Sequence, residues 1–103
     1  RRGRWQEAAR VTVGEAVARG VTVLAGTDTA GTISDEIGYL IDFGLTPVQA
    51  LRAATIDARA YLGLTSLEDG APADVVTFDV DPRDDPGVLS EPAAVVLGGV
   101  RVR

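Results

Sequence analysis

Between Trp5 and Arg19 apolar residues recur at helical spacing, at Ala9, Val13, Ala16 and Val17. Glu7, Arg10, Glu15 and Arg19 fall on the opposite face, so the pattern predicts an amphipathic helix that Gly20 ends. The period then changes. Val21-Thr22-Val23-Leu24-Ala25-Gly26 is an almost unbroken apolar, β-branched run, as in a strand buried on both faces. A helix leading at once into such a strand is the step of a parallel α/β fold.

Thr27-Asp28-Thr29-Ala30-Gly31-Thr32 is polar and reads as a loop. Ser34 stands as the N-cap of the next helix, with Asp35 and Glu36 near the positive end of its dipole. Ile37, Leu40 and Ile41 form one stripe, and Gly44 follows the helix, which runs to about Phe43. Thr46-Pro47-Val48-Gln49 is a sharper signal: a capping Thr, a Pro at the first helical position and a Gln to close a capping box. Leu51, Ala54 and Thr55 continue that helix, and Asp57 is the expected cap of a short one ending at Leu62-Gly63. From Leu67 onward alternation replaces helical spacing. Strands are expected at 73–80, 93–97 and 100–102, with Gly98-Gly99 as a two-residue hairpin turn and 81–87 as a loop. The chain thus divides near Thr65 into a helical α/β part, residues 1–64, and a small antiparallel part, residues 65–103.

Composition removes several kinds of chemistry. Of the 103 residues none is Cys and none is His, which excludes disulfides, thiolate metal sites and imidazole bases. The formal net charge of −5 leaves no electrostatic footprint for nucleic acid or an anionic membrane, and Arg1-Arg2-Gly3-Arg4 reads as a solvated terminus. No apolar stretch approaches the roughly 20 residues of a membrane span, and no apolar region follows the basic start as in a signal peptide. A cytoplasmic location is therefore expected. The chain starts at Arg1 and holds no Met, so it is expected to be cut or processed from something longer. The lone strand at 21–25 points the same way, because a parallel strand needs neighbours on both edges.

Chemistry has one strong candidate. Asp28 follows the expected strand, where α/β folds gather their active sites, and a carboxylate there can bind a cation or take a proton from water. From position alone, a turn or capping role for Asp28 is favoured. Thr29 and Thr32 could touch a substrate from the same loop, although capping and turn bonding explain them equally well. Asp79, Asp81, Asp84 and Asp85 are clustered but lack EF-hand spacing and read as a solvated loop. Gly26, Gly31, Gly98 and Gly99 form no phosphate loop, and Trp5 and Tyr39 read as packing residues.

The order of these segments resembles a known family. Gly20 to Asp28 looks like the eighth barrel strand of the amidohydrolase superfamily with its terminal aspartate, and Gly44 to Thr55 looks like the helix that follows. Tyr61-Leu62-Gly63-Leu64 continues the likeness, and Glu68 to Asp79 resembles the return to a small β-sandwich that Val95 to Val102 closes. Imidazolonepropionase-like and Xaa-Pro dipeptidase-like members look most similar. The resemblance implies the last helix-strand-helix portion of a (β/α)8 TIM barrel plus part of a C-terminal β-sandwich, with the barrel incomplete in this chain. It further implies zinc or another divalent metal, hydrolysis of carbon–nitrogen bonds by metal-activated water, and Asp28 as metal ligand and general base. The family's HxH pair, its bridging lysine and its two later histidines have no counterpart, and Asp69-Gly70-Ala71-Pro72 replaces a more usual proline-glycine-lysine turn. This chain alone is then expected to be inactive and to bind no stoichiometric zinc. Its partner is expected to be the rest of the barrel, or a second copy joined through Val21 to Ala25. The alternative is a non-catalytic assembly module, or one half of a split hydrolase.

Overall fold

A computed structural model describes residues 3–103. Four α-helices come first: α1 (Arg4–Ala18), α2 (Ile33–Asp42), α3 (Pro47–Ala54) and α4 (Ile56–Tyr61). A sheet of three short strands follows: β1 (Val75–Thr77), β2 (Ala94–Leu97) and β3 (Val100–Arg101), with a 3₁₀ helix, Pro86–Ser90, between the first two. The basic start falls partly outside the described residues, since Arg1 and Arg2 precede them.

The core is small and local. Ile37, Leu40, Leu45, Ala50 and Ala53 are its buried members, all from α2, α3 and their connection. The helix stripe supplies Ile37 and Leu40, and the two alanines of α3 let the helices approach closely. Gly44, at φ +110°, takes a backbone conformation closed to residues with a Cβ and lets the chain reverse so that Leu45 points back into the cluster. The box at Thr46 forms as its sequence predicts: Gln49 N–H donates to Thr46 Oγ1 at 3.1 Å, and Thr46 N–H donates to Gln49 Oε1 at 2.8 Å. Around this cluster pack the half-buried Val13 and Val17 of α1, Val23 and Ala25, and Leu89 of the 3₁₀ helix.

Three expectations are corrected. Residues 21–27 form no strand. A strand exists by its ladder, and Thr22, Val23 and Leu24 have no backbone partner among the described residues; the segment is fixed only at its ends, by Val21 N–H to Ala16 O and Ala25 N–H to Ala53 O. Ser34 does not cap α2. Thr32 does, accepting from Asp35 N–H at 3.2 Å while Asp35 accepts from Thr32 N–H at 2.9 Å. The motif Thr32-Ile33-Ser34-Asp35 is a capping box in its own right, and two reciprocal bonds outweigh the one Ser34 could make. Asp57 does not cap α4 either. Thr55 holds that position without a side-chain cap, its hydroxyl donating to Leu51 O at 2.7 Å, and Asp57 instead pairs with Arg52 at 3.2 Å across the joint.

The sheet is antiparallel throughout, in the order β1-β2-β3. Val75 lies opposite Val96, Thr77 opposite Ala94, and Leu97 opposite Val100. Gly98 and Gly99 make the tight turn, with φ of +58° and +81°, the left-handed pair a two-residue hairpin needs. Its tip is tied to the start of β1: Gly98 N–H donates to Asp74 Oδ1 at 2.8 Å and Gly99 N–H to Ala73 O at 3.0 Å. The expected loop at 81–87 is shorter than the sequence suggests. Pro86 opens the 3₁₀ helix, Asp85 caps it by accepting from Gly87 N–H, and Leu89 is carried onto α2.

Candidate functional site

Asp28 sits in a tight turn closed by Ala30 N–H to the Thr27 carbonyl at 3.0 Å. Both central residues are left-handed, Asp28 at φ +49° and Thr29 at φ +66°. Aspartate tolerates that region, whereas a β-branched threonine seldom enters it, so the turn holds local strain. It is fixed on both sides. Upstream, the Ala25–Ala53 bond pins the chain to α3; downstream, the Thr32–Asp35 box starts α2. Two residues lie between each anchor and Asp28 or Thr29. A longer contact, Gly26 N–H to Glu36 Oε1 at 3.5 Å, adds to the upstream side.

The side chains of the turn have separate fates. The Asp28 carboxylate is exposed and makes no hydrogen bond or ion pair with the described residues. Thr29 is likewise exposed beside it. Thr32 is not free in the same way, because its hydroxyl accepts the Asp35 amide as part of the cap. Asp28 and Thr29 therefore share one presented turn, and Thr32 supports it from the helix end. Asp35, expected only to face the positive end of the helix dipole, also closes the cap, a role the Thr-x-x-Asp spacing signals.

The donors present do not fit a metal by themselves. Among the described residues no group of three or more His, Cys, Asp or Glu converges where an ion could sit. Asp28 supplies one carboxylate, and the chain has no imidazole to join it. Two acidic residues of the sheet region are occupied otherwise. Asp81 is chelated by Arg83, with guanidinium contacts of 2.6 to 3.0 Å, and Asp85 caps the 3₁₀ helix. The hydrogen bonds from Arg83, side chain first and backbone next, lower the Asp81 pKa from 3.8 to about 2. The same carboxylate raises the pKa of Arg83.

The sequence pattern of the Amidohydrolase family matches residues 7–102, and the chain belongs to that family. An uncharacterised protein of Mycobacterium tuberculosis is 46% identical over 85 residues, covering 78% of this chain and 23% of that protein. Ochratoxinase of Aspergillus niger is 39% identical over 88 residues, covering 78% of this chain and 18% of that enzyme. Among solved structures, a prolidase assignment from Bifidobacterium longum superposes with a TM-score of 0.82 at 33% identity, covering 90% of this chain and 26% of the other. A Xaa-Pro dipeptidase with methionine bound in its active site gives 0.81 at 27% identity, with coverage of 91% and 25%. This chain thus spans about a quarter of the solved structures it matches. The dipeptidase side of the expected resemblance is met by these neighbours.

Proposed function

We propose that these residues are one portion of a metal-dependent hydrolase of carbon–nitrogen bonds, and that Asp28 is its contribution to the reacting centre. The observation that carries the reading is the turn at Thr27–Ala30: it is anchored at both ends and presents an unengaged carboxylate, within a chain that matches the amidohydrolase pattern across 7–102. In this reading Val21–Ala25 becomes the last strand of a (β/α)8 barrel once neighbouring strands supply its missing ladder, and the three-stranded sheet is part of a small sandwich. Asp28 then stands at the carboxyl end of that strand, where barrel enzymes place their chemistry. Its carboxylate takes the proton from the attacking water and returns it to the leaving nitrogen, the usual service of a positioned general base. Thr29 lies against the substrate, and Thr32 holds the turn. The dipeptidase and ochratoxinase likenesses support small amides, dipeptides among them, as the substrate class.

Since the donors here do not fit a metal alone, the other ligands come from outside these residues, and the isolated chain has neither turnover nor tightly held zinc. The decisive experiment is Asp28→Asn in the full-length enzyme. Turnover of a dipeptide substrate should fall by roughly 10²- to 10⁴-fold with the circular dichroism unchanged. Near-normal turnover would reduce Asp28 to a turn residue, and zinc held stoichiometrically by the 103-residue chain would overturn the incomplete-site reading.

A further inference from the structure

Helix α2 bears two neighbouring carboxylates on its first turn, Asp35 and Glu36, and each reaches back to one stem of the Asp28 turn. Asp35 Oδ2 accepts the Thr32 amide at 2.9 Å and lies so near Gly31 that a Cβ there would stand 3.0 Å from it. That fixes the downstream stem. Glu36 serves the other one. Its Oε1 accepts the Gly26 amide at 3.5 Å, across ten positions of sequence. The bond is long, but its acceptor carries charge. Glu36 itself is firmly held: its amide donates to the Thr32 carbonyl at 3.1 Å, and Ile37 beside it is a buried member of the core.

The upstream stem needs that hold. Ala25 is bonded to α3, but Gly26 follows, and a residue without a Cβ turns readily to either sign of φ. Gly26 is thus a swivel two positions before Asp28. Among the described residues, Glu36 is the partner of its amide. Two successive left-handed residues other than glycine, Asp28 and Thr29, persist only where their surroundings over-determine them. The bond from Ala30 to Thr27 closes the turn without aiming it. The geometry points to Glu36 as a positioning residue: its carboxylate locks Gly26 and so sets the direction in which the Asp28 carboxylate is presented. This rests on the hydrolase reading for what Asp28 does, and adds which side chain holds it in place.

The test is kcat and KM for a dipeptide substrate, measured in the longer protein that the hydrolase reading requires. Glu36→Gln keeps the acceptor oxygen and its reach but loses the charge. Glu36→Asp keeps the charge but falls one methylene short of Gly26. If Glu36 acts by position, Glu36→Asp should lower kcat by roughly 10-fold or more with KM little moved, and Glu36→Gln should retain most of the activity. Combining Glu36→Asp with Asp28→Asn should cost nothing beyond Asp28→Asn alone, because both act through one group. A Glu36→Gln variant no better than Glu36→Asp would overturn the proposal, since charge at the helix end, or nothing at all, would then be what Glu36 supplies. Losses that multiply in the combined variant would overturn it too. Circular dichroism shows which variants fold, and Glu36→Ala, which also lacks the reach and favours helix, replaces Glu36→Asp if that one does not. Near-normal turnover in Asp28→Asn sinks the hydrolase reading and this inference with it. A crippled Asp28→Asn beside a fully active Glu36→Asp overturns this inference alone.

Discussion

Asp81 and Arg83 show how the residue scale can mislead a reading by composition. Four aspartates within 79–85 look like a cation site or a charged loop. In the structure they divide their work, with Asp81 gripping Arg83 and Asp85 capping the turn that follows. The lowered pKa of Asp81 favours its ionised form in the folded chain. Its contribution to stability is therefore complete above its ordinary value of 3.8 and lost as the pH falls toward about 2. The pair is solvent-exposed, so the effect on the whole fold is small. Carboxyl carbon shifts followed by NMR should give Asp81 a midpoint near 2, rising toward the ordinary range in Arg83→Gln. An ordinary midpoint in the unsubstituted chain would mean that the pair does not persist in solution. Asp28 is the opposite case. Its position was legible from the apolar run before it, but its left-handed backbone was not, because nothing in Asp-Thr announces a turn that usually wants Asn-Gly.

At the scale of elements, local signals were read well wherever the physics is local. The Thr46 box, the reversal at Gly44 and the Gly98-Gly99 hairpin all depend on a handful of contiguous residues, and each forms. The start of α2 was misjudged because two capping hydroxyls compete two positions apart, and only the partner three residues on decides between them. This correction has a direct check. Thr32→Ala should cost about 1 kcal/mol of stability, as the loss of an N-cap does, whereas Ser34→Ala should cost a few tenths at most. Denaturant melts of the two variants distinguish them, and a larger loss at Ser34 would make Ser34 the cap. The segment at 21–25 failed for the opposite reason. Its apolar, β-branched character was correctly seen, but a strand is a relation between segments, and the described residues offer it no neighbour.

For the whole molecule the openness of the packing becomes a quantity. The radius of gyration is 14.7 Å, against about 13 Å for a compact domain of this length. Helix α1 buries no residue completely, and Trp5 on its first turn is 71% exposed. Val21 is 56% exposed next to amides that bond to nothing described. Unpaired, apolar backbone of this kind associates with whatever presents a matching edge. The isolated chain should therefore form oligomers whose amides at 22–24 are protected from exchange, and on the proposed hydrolase reading the longer protein should protect the same amides without self-association. A monomeric isolated chain with those amides exchanging freely would show that the segment is content as an irregular connection. No helix among the described residues is long and apolar enough to cross a membrane. The return of Leu89 to the helical core was not legible in the sequence, because it depends on a loop folding into a 3₁₀ turn.

The placement of the core also bears on the order in which the chain gains structure. Every buried side chain among the described residues lies between Ile37 and Ala53, on two helices and the tight reversal that joins them. Contacts so near in sequence close with little loss of loop entropy and form quickly. The helix pair can therefore assemble as soon as it leaves the ribosome and wait as a preformed platform, onto which α1, the Asp28 turn and the sheet later settle. Pulse-labelled exchange during refolding would read this as early protection confined to α2 and α3.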